Sequence, residues 1–194
     1  ANVFSELHRK LEEGGFSIVV VGEFSTGKST LLNALMGKKL LPSFTNETTA
    51  TVNFFRHKDQ APNGEAGIVY YNDGHTVSLP DDNLETIAKY VSTKGNNVAA
   101  NVQHLDLFMD SDFLKDGVML VDSPGLNGIA EGHREITEDQ IAKSHASIFL
   151  FSSDHPGSKT DFEMLNDLLQ RVNTIFFVLN KIDVIKESEG ESVE

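Results

Sequence analysis

Four short apolar runs recur along the chain: Phe16 to Val21, Val118 to Val121, Ser147 to Phe151 and Thr174 to Leu179. Each is rich in β-branched or aromatic residues and too short for a helix, so each predicts a strand covered on both faces. Between them lie stretches with helical spacing. Lys28 to Met36 puts Leu31, Leu32 and Leu35 on one stripe, with Gly37 as a C-terminal stop. Leu84, Ile87, Ala88 and Val91 mark a short helix, Glu131 to His145 is mostly polar and reads as helical, and Leu165, Leu168, Leu169 and Val172 mark a third helix that Thr160 and Glu163 open as a capping box. Buried strands alternating with amphipathic helices imply an α/β fold, a mostly parallel central sheet with helices on both faces. Ligands then bind at the carboxyl ends of the strands.

The rest of the pattern fills in around that frame. Ala50 to Arg56 predicts a further strand. Ile68 to Tyr71 and Thr76 to Leu79 flank Asn72-Asp73-Gly74-His75, where Asp-Gly suits a tight hairpin, and Val98 to Met109 alternates as an antiparallel strand does. Val3, Phe4, Leu7 and Leu11 form one stripe before Gly14 and Gly15, so residues 2 to 13 predict an amphipathic helix. Its apolar face packs either on the domain or in a helical bundle completed by other sequence. The expected organisation is a leader helix over 1–13, one domain over 14–186 with an insert at about 57–116, and a polar tail over 187–194.

A length of 194 residues suits one domain with a substantial core. The absence of cysteine excludes disulfides and thiolate metal sites and fits a reducing compartment, so a cytoplasmic location is expected. A net charge of −13 and a pI near 4.9 argue against broad binding to nucleic acid or anionic lipid by this region. The ends, without an initiator Met and with acidic residues from Glu187 to Glu194, read as cuts in a longer protein. The seven histidines show no HxxxH or HExxH spacing, so zinc is not expected. Asp81, Asp82, Asp110 and Asp112 sit at element ends and read as solvated caps. Gly157-Ser158-Lys159-Thr160 echoes a phosphate loop but lacks the upstream glycine, and Asn46-Glu47-Thr48 is a chance glycosylation pattern.

Candidate chemistry lies at the ends of three predicted strands. Gly22-Glu23-Phe24-Ser25-Thr26-Gly27-Lys28-Ser29 matches GxxxxGK[ST], with a buried strand entering and a helix leaving. Gly22 and Gly27 would let the backbone wrap a β-phosphate, Lys28 would neutralise β- and γ-oxygens, and Ser29 would offer its hydroxyl to Mg²⁺. Asp122-Ser123-Pro124-Gly125 fits DxxG, in which Asp122 would hold Mg²⁺ through water and the Gly125 N–H would meet the γ-phosphate. Asn180-Lys181-Ile182-Asp183 fits NKxD. A carboxylate at Asp183 can accept from N1–H and the exocyclic amine of guanine, a donor pair adenine lacks. The Lys181 stem would lie along the base, and Asn180 would tie this loop to the phosphate loop.

With the three motifs in this order, the chain resembles the P-loop GTPases and, among them, the dynamin-like branch of bacterial type. The resemblance spans residues 16 to 183 and rests on GEFSTGKST at 22–30, LPSFTNETTAT at 41–51, the long insert before DxxG, and LKDGVMLVDSPGL at 114–126. It implies a P-loop NTPase three-layer fold, without the C-terminal part of the G domain that follows NKxD, and hydrolysis of GTP to GDP and phosphate. It implies nucleotide contacts from Gly22, Glu23, Phe24, Ser25, Thr26, Gly27, Lys28, Ser29 and Thr30, and from Asp122, Gly125, Asn180, Lys181 and Asp183.

Lys28, Ser25 and Thr49 are the implied catalytic residues. Thr49, with Thr48 as its adjacent rival, would be the switch threonine that joins Ser29 and Asp122 in holding Mg²⁺ and helps place the attacking water. Ser25 would support the β–γ bridging region and a monovalent cation, K⁺ or Na⁺. Phe24 departs from the glutamine of eukaryotic dynamins, and its role stays open. Leu126 stands where Ras-like enzymes carry a water-orienting glutamine, and dynamin-like proteins share that absence and rely on dimerisation across the nucleotide face. The resemblance therefore implies a homodimer and membrane-associated assembly, with membrane contact through regions outside this chain and no nucleic acid. Two alternatives stand beside it: a soluble GTPase switch acting on an assembly partner without membrane, and a non-catalytic guanine-nucleotide module. A chain ending soon after NKxD is also expected to bind nucleotide poorly.

Overall fold

The strand that enters the glycine-rich loop, β1 (Phe16–Gly22), lies well inside the sheet. It pairs in parallel with β6 (Val118–Asp122) on one side and β7 (Ala146–Ser152) on the other, and Val19, Val20 and Val21 are buried. The computed structural model describes residues 15–23, 25–39, 41, 51–91, 101–123, 142–172 and 174–184. The expected leader helix, Phe24, Thr48, Thr49, Gly125, Leu126, most of the expected helix over 131–145 and the polar tail lie outside the described residues.

Among those residues, eight strands form one sheet in the order β4-β3-β5-β2-β6-β1-β7-β8, with β2 at Val52–His57, β3 at Gly67–Tyr71, β4 at Thr76–Leu79, β5 at Val102–Met109 and β8 at Ile175–Asn180. The pairs β1/β6, β1/β7, β7/β8 and β2/β5 are parallel, and β2/β6, β3/β4 and β3/β5 are antiparallel. The sheet is thus parallel where the three motifs sit and mixed where the insert extends it. This is the α/β architecture that the alternation of runs predicted.

Two cores follow from the sidedness of the strands. On one face Val20, Phe55, Leu105, Leu120 and Leu150 pack with Leu32 and Met36 of α1 (Lys28–Met36) and Ile87 of α2 (Leu84–Val91). On the other, Val19, Val21, Phe54, Val121 and Phe149 pack with Met164 and Leu168 of α3 (Lys159–Leu169). Each fully buried leucine or phenylalanine contributes about 1.5–3 kcal/mol relative to exposure. Helix α1 stops where predicted: Gly37 adopts φ 67°, which lets its N–H reach Ala34 O and sends the Lys38 N–H to Asn33 O. The Asp73-Gly74 hairpin also forms, with Gly74 at φ 88°. No helix among the described residues is long and apolar enough to cross a membrane.

Three expectations are corrected. Residues 102–109 are antiparallel to β3, as expected, but also parallel to β2, because β5, the last strand of the insert, enters the sheet between these two strands. The capping box of α3 is formed by Ser158 and Asp161, not by Thr160 and Glu163: the Ser158 hydroxyl accepts from Asp161 N at 3.0 Å and the Asp161 carboxylate from Ser158 N at 3.1 Å. Both pairs have the same three-residue spacing, and the helix starts two residues earlier than the pattern suggested. Finally, the last apolar run is not buried. β8 pairs with β7 alone among the described residues, and Phe176 and Phe177 stay 56% and 58% exposed.

Candidate nucleotide site

The carboxyl ends of β1, β6, β7 and β8 bring the phosphate-loop, DxxG and NKxD residues to one edge of the sheet. At the end of β1 the backbone is tightly wrapped. A Cβ on Gly22 would sit 2.7 Å from Leu150 O, and one on Gly27, where φ is 96°, would run into the side-chain amide of Asn180. Gly27 is the N-cap of α1 and offers no side-chain acceptor, so the first-turn N–H groups at Lys28, Ser29 and Thr30 keep their capacity for an anion. Thr26 is buried, and its hydroxyl donates to Glu23 O at 2.9 Å; Ser25 is exposed, in the left-handed region at φ 64°.

The Lys28 ammonium donates to Gly22 O and Glu23 O, both at 2.8 Å, which curls the loop around its own lysine. Burial pushes the Lys28 pKa down, and the charges of Asp122 and Glu23 oppose that. Asp122 ends β6 fully buried. Burial raises its carboxyl to about 6, with Lys28 and an Asn53 hydrogen bond pulling the other way. That bond, from Asn53 Nδ2 to Asp122 Oδ2, is long at 3.4 Å, and the Lys28 charge is the stronger of the two opposing influences. A hard divalent cation fits this donor set, the Ser29 hydroxyl and the Asp122 carboxylate being oxygen ligands of the kind Mg²⁺ takes beside nucleotide phosphates. Among the described residues no cluster of three or more His, Asp or Glu could hold a metal unaided.

At the end of β8, Asn180 Nδ2 donates to Thr26 O at 2.8 Å, joining the NKxD loop to the phosphate loop. Lys181 takes φ 59°, and the chain turns into a 3₁₀ turn at Ile182–Val184 that presents Asp183 exposed. The loop after β7 braces this turn. Ser153 N donates to Asn180 O at 3.0 Å, Ser153 Oγ donates to Lys181 O at 2.6 Å, and Lys181 Nζ lies 3.5 Å from Asp154 Oδ2.

Sequence reasoning missed Asn53, Ser123, Ser153 and Ser158. Asn53 is fully buried opposite Asp122 in the β2/β6 register, and Ser123 Oγ donates to Val20 O at 2.8 Å, anchoring the start of DxxG to β1. An asparagine inside the apolar run Val52 to Phe55 was the available signal for the first. Ser158 carried the S-x-x-D capping spacing to Asp161, but its bond to Glu23, like those of Ser123 and Ser153, joins residues distant in the chain and left no signal.

The model of the Dynamin family matches residues 18–183. The chain is 29% identical over 191 residues to a bacterial dynamin-like protein of Nostoc punctiforme, covering 93% of this chain and 27% of that protein. It is also 29% identical over 188 residues to an uncharacterised protein of Caldicellulosiruptor, covering 96% of this chain and 45% of that one. The chain thus spans less than half the length of these relatives. A solved structure of an oligomerised bacterial dynamin pair, described as sensing and tethering membranes over long range, superposes with a TM-score of 0.67 at 28% identity, over 96% of this chain and 29% of that one. Era, solved with MgGDPNP and a piece of 16S ribosomal RNA, shares the fold at a TM-score of 0.50 and 17% identity. The chain belongs to the dynamin family, and the residues matched form its GTPase domain.

Proposed function

We propose that this chain binds and hydrolyses GTP as the motor domain of a larger dynamin-like protein, whose nucleotide state drives homodimerisation through the nucleotide face and membrane-associated assembly. The observation that supports this reading is the 2.8 Å bond from Asn180 to Thr26 O, which joins the NKxD turn to the phosphate loop so that one nucleotide can reach both. In this reading Asp183 accepts from N1–H and the exocyclic amine, the Lys181 stem lies along the base, and the residues from Gly22 to Thr30 enclose the phosphates. Lys28 exchanges its carbonyl partners for β- and γ-oxygens; Ser29, Thr49 and, through water, Asp122 would hold Mg²⁺; and the Gly125 N–H meets the γ-phosphate. Mg²⁺ there would neutralise charge on the phosphate oxygens. Water attacks the γ-phosphorus, the bond to the β–γ bridging oxygen breaks, and GDP and phosphate result. Ser25, exposed on the loop, is the residue proposed to support that bridging oxygen and a K⁺ or Na⁺ ion.

The wider proposals follow the relatives. Residues 1–13 serve as a leader helix, 14–186 as the domain with its insert at about 57–116, and 187–194 as a polar tail. The protein acts in the cytoplasm, reaches membrane through regions outside this chain, and the net charge of −13 supports the absence of nucleic acid. Asp183→Asn tests the base assignment. The amide donates to the 2-oxo group of xanthine, so competition binding should shift from GTP toward XTP; unchanged preference for GTP would overturn it. Liposome sedimentation of the full-length protein, with and without a GTP analogue, tests the membrane role, and absence of binding in both states would favour the soluble switch.

A further inference from the structure

Glu23 places a carboxylate inside a loop shaped for phosphate. Its backbone carbonyl serves the loop, accepting from Lys28 Nζ and Thr26 Oγ1, while its side chain leaves the loop and meets α3: Oε1 accepts from Ser158 Oγ at 2.6 Å, across 135 residues of sequence. A serine hydroxyl has one proton to donate, and here it goes to Glu23. The same hydroxyl oxygen accepts from Asp161 N at 3.0 Å, and Ser158 N donates to the Asp161 carboxylate at 3.1 Å, so the capping box fixes Ser158 as a donor of set direction. Released from this contact, the carboxylate would compete with a γ-phosphate for Lys28, the cation of the loop; its charge already acts on Lys28, opposing, after Asp122, the lowering of the Lys28 pKa by burial. Five positions before Ser158, Ser153 bonds the β7–α3 loop to NKxD, its N–H donating to Asn180 O and its hydroxyl to Lys181 O. The loop between β7 and α3 is therefore pinned to the base-reading turn at one end and to the phosphate loop at the other.

We propose that Ser158 is a positioning residue of the GTPase site, which holds the Glu23 carboxylate on the N-terminus of α3 and so keeps Lys28 available to the terminal phosphate. The proposal rests on the nucleotide reading of the loop. It concerns discrimination between triphosphate and diphosphate, because the γ-phosphate adds charge beside Lys28 that a freed carboxylate opposes.

The test measures the affinities of a non-hydrolysable GTP analogue and of GDP, with Mg²⁺, in the full-length protein. Ser158→Ala should weaken the analogue by roughly fivefold, the equivalent of one net hydrogen bond, and GDP by less than about twofold. Ser158→Asn keeps both a cap and a donor and should restore the ratio. In a Glu23→Gln background, where no carboxylate is left to release, Ser158→Ala should leave the ratio unchanged. If Ser158→Ala reduces the yield of folded protein, Ser158→Gly, which an N-cap tolerates at little cost and which adds no charge, removes the donor and serves the same comparison. Equal loss for both nucleotides, or a ratio shift that persists with Glu23→Gln, would overturn the proposal. Failure of the nucleotide reading shows separately, as an unaltered protein that binds neither nucleotide or one in which Lys28→Ala changes nothing.

Discussion

β1 and β8 are nearly matched as sequences, since both are short apolar runs that end in a motif for one part of a guanine nucleotide. Their surroundings differ. β1 has parallel neighbours on both sides and buries Val19, Val20 and Val21, whereas β8 has β7 alone among the described residues and leaves Phe176, Phe177 and Leu179 exposed. The phosphate-loop end of the candidate site is thus built on the core, and the NKxD end on a strand that, among the described residues, lies at the edge and is braced by a few side-chain bonds. Local openings are cheapest where buried contacts are few, so the base-reading turn should exchange its amide protons well before β1 does.

The largest contrast is in stability. Leu120 is fully buried beside β1, and Leu120→Ala should cost about 2–5 kcal/mol in denaturant unfolding. Phe177→Ser on β8 removes a larger side chain that is 58% exposed and meets the Phe149 and Phe151 rings, and should cost about 1 kcal/mol in the same chain. A loss for Phe177→Ser as large as that for Leu120→Ala would mean that β8 is covered in solution, and would erase the comparison.

The next effect concerns charge at the buried end. Burial raises the Asp122 carboxyl to about 6, above its ordinary range, so between roughly pH 4 and 6 the folded chain holds a proton that the unfolded chain has released. Its contribution is full below the unfolded pKa and is lost as pH rises through the folded one. In EDTA and without nucleotide, stability should therefore fall by about 2 kcal/mol over that window, and Asp122→Asn should remove the decline. A flat pH profile in the unaltered protein would show that Asp122 is better compensated than Lys28 and the 3.4 Å bond to Asn53 provide.

What could be read from residues alone divides along the same line. The phosphate-loop half was legible because local signals agree there: an apolar run, a glycine-rich turn, leucines at helical spacing and Gly37 as a stop, all realised in β1 and α1. The order of the strands and the mixed half of the sheet were less so, since the alternation over 98–109 fits a parallel neighbour as well as an antiparallel one. β8 was read as buried because composition records what a strand could bury and not whether anything covers it. The bonds that assemble the site join Asn53 to Asp122, Ser158 to Glu23 and Asn180 to Thr26, across 69, 135 and 154 residues, and only the last followed from a motif.

The smallest predicted effect tests whether the brace on β8 substitutes for burial. Ser153 Oγ donates to Lys181 O at 2.6 Å, partly buried, while the Lys181–Asp154 pair at 3.5 Å is between side chains about a third and nearly half exposed. An exposed pair of that kind contributes about 0–1 kcal/mol and is screened by salt. Ser153→Ala should then weaken GTP about fivefold, the value of one net hydrogen bond, and the loss should persist at high salt. Asp154→Asn should weaken it less than about twofold, and only at low salt. The left-handed φ of Lys181 gives the reason for the ranking: a non-glycine residue pays about 1–2 kcal/mol to hold that conformation, and the hydroxyl bond to its carbonyl is the contact that fixes the peptide in place. Equal effects from the two substitutions would shift the brace from that backbone bond to the side-chain pair.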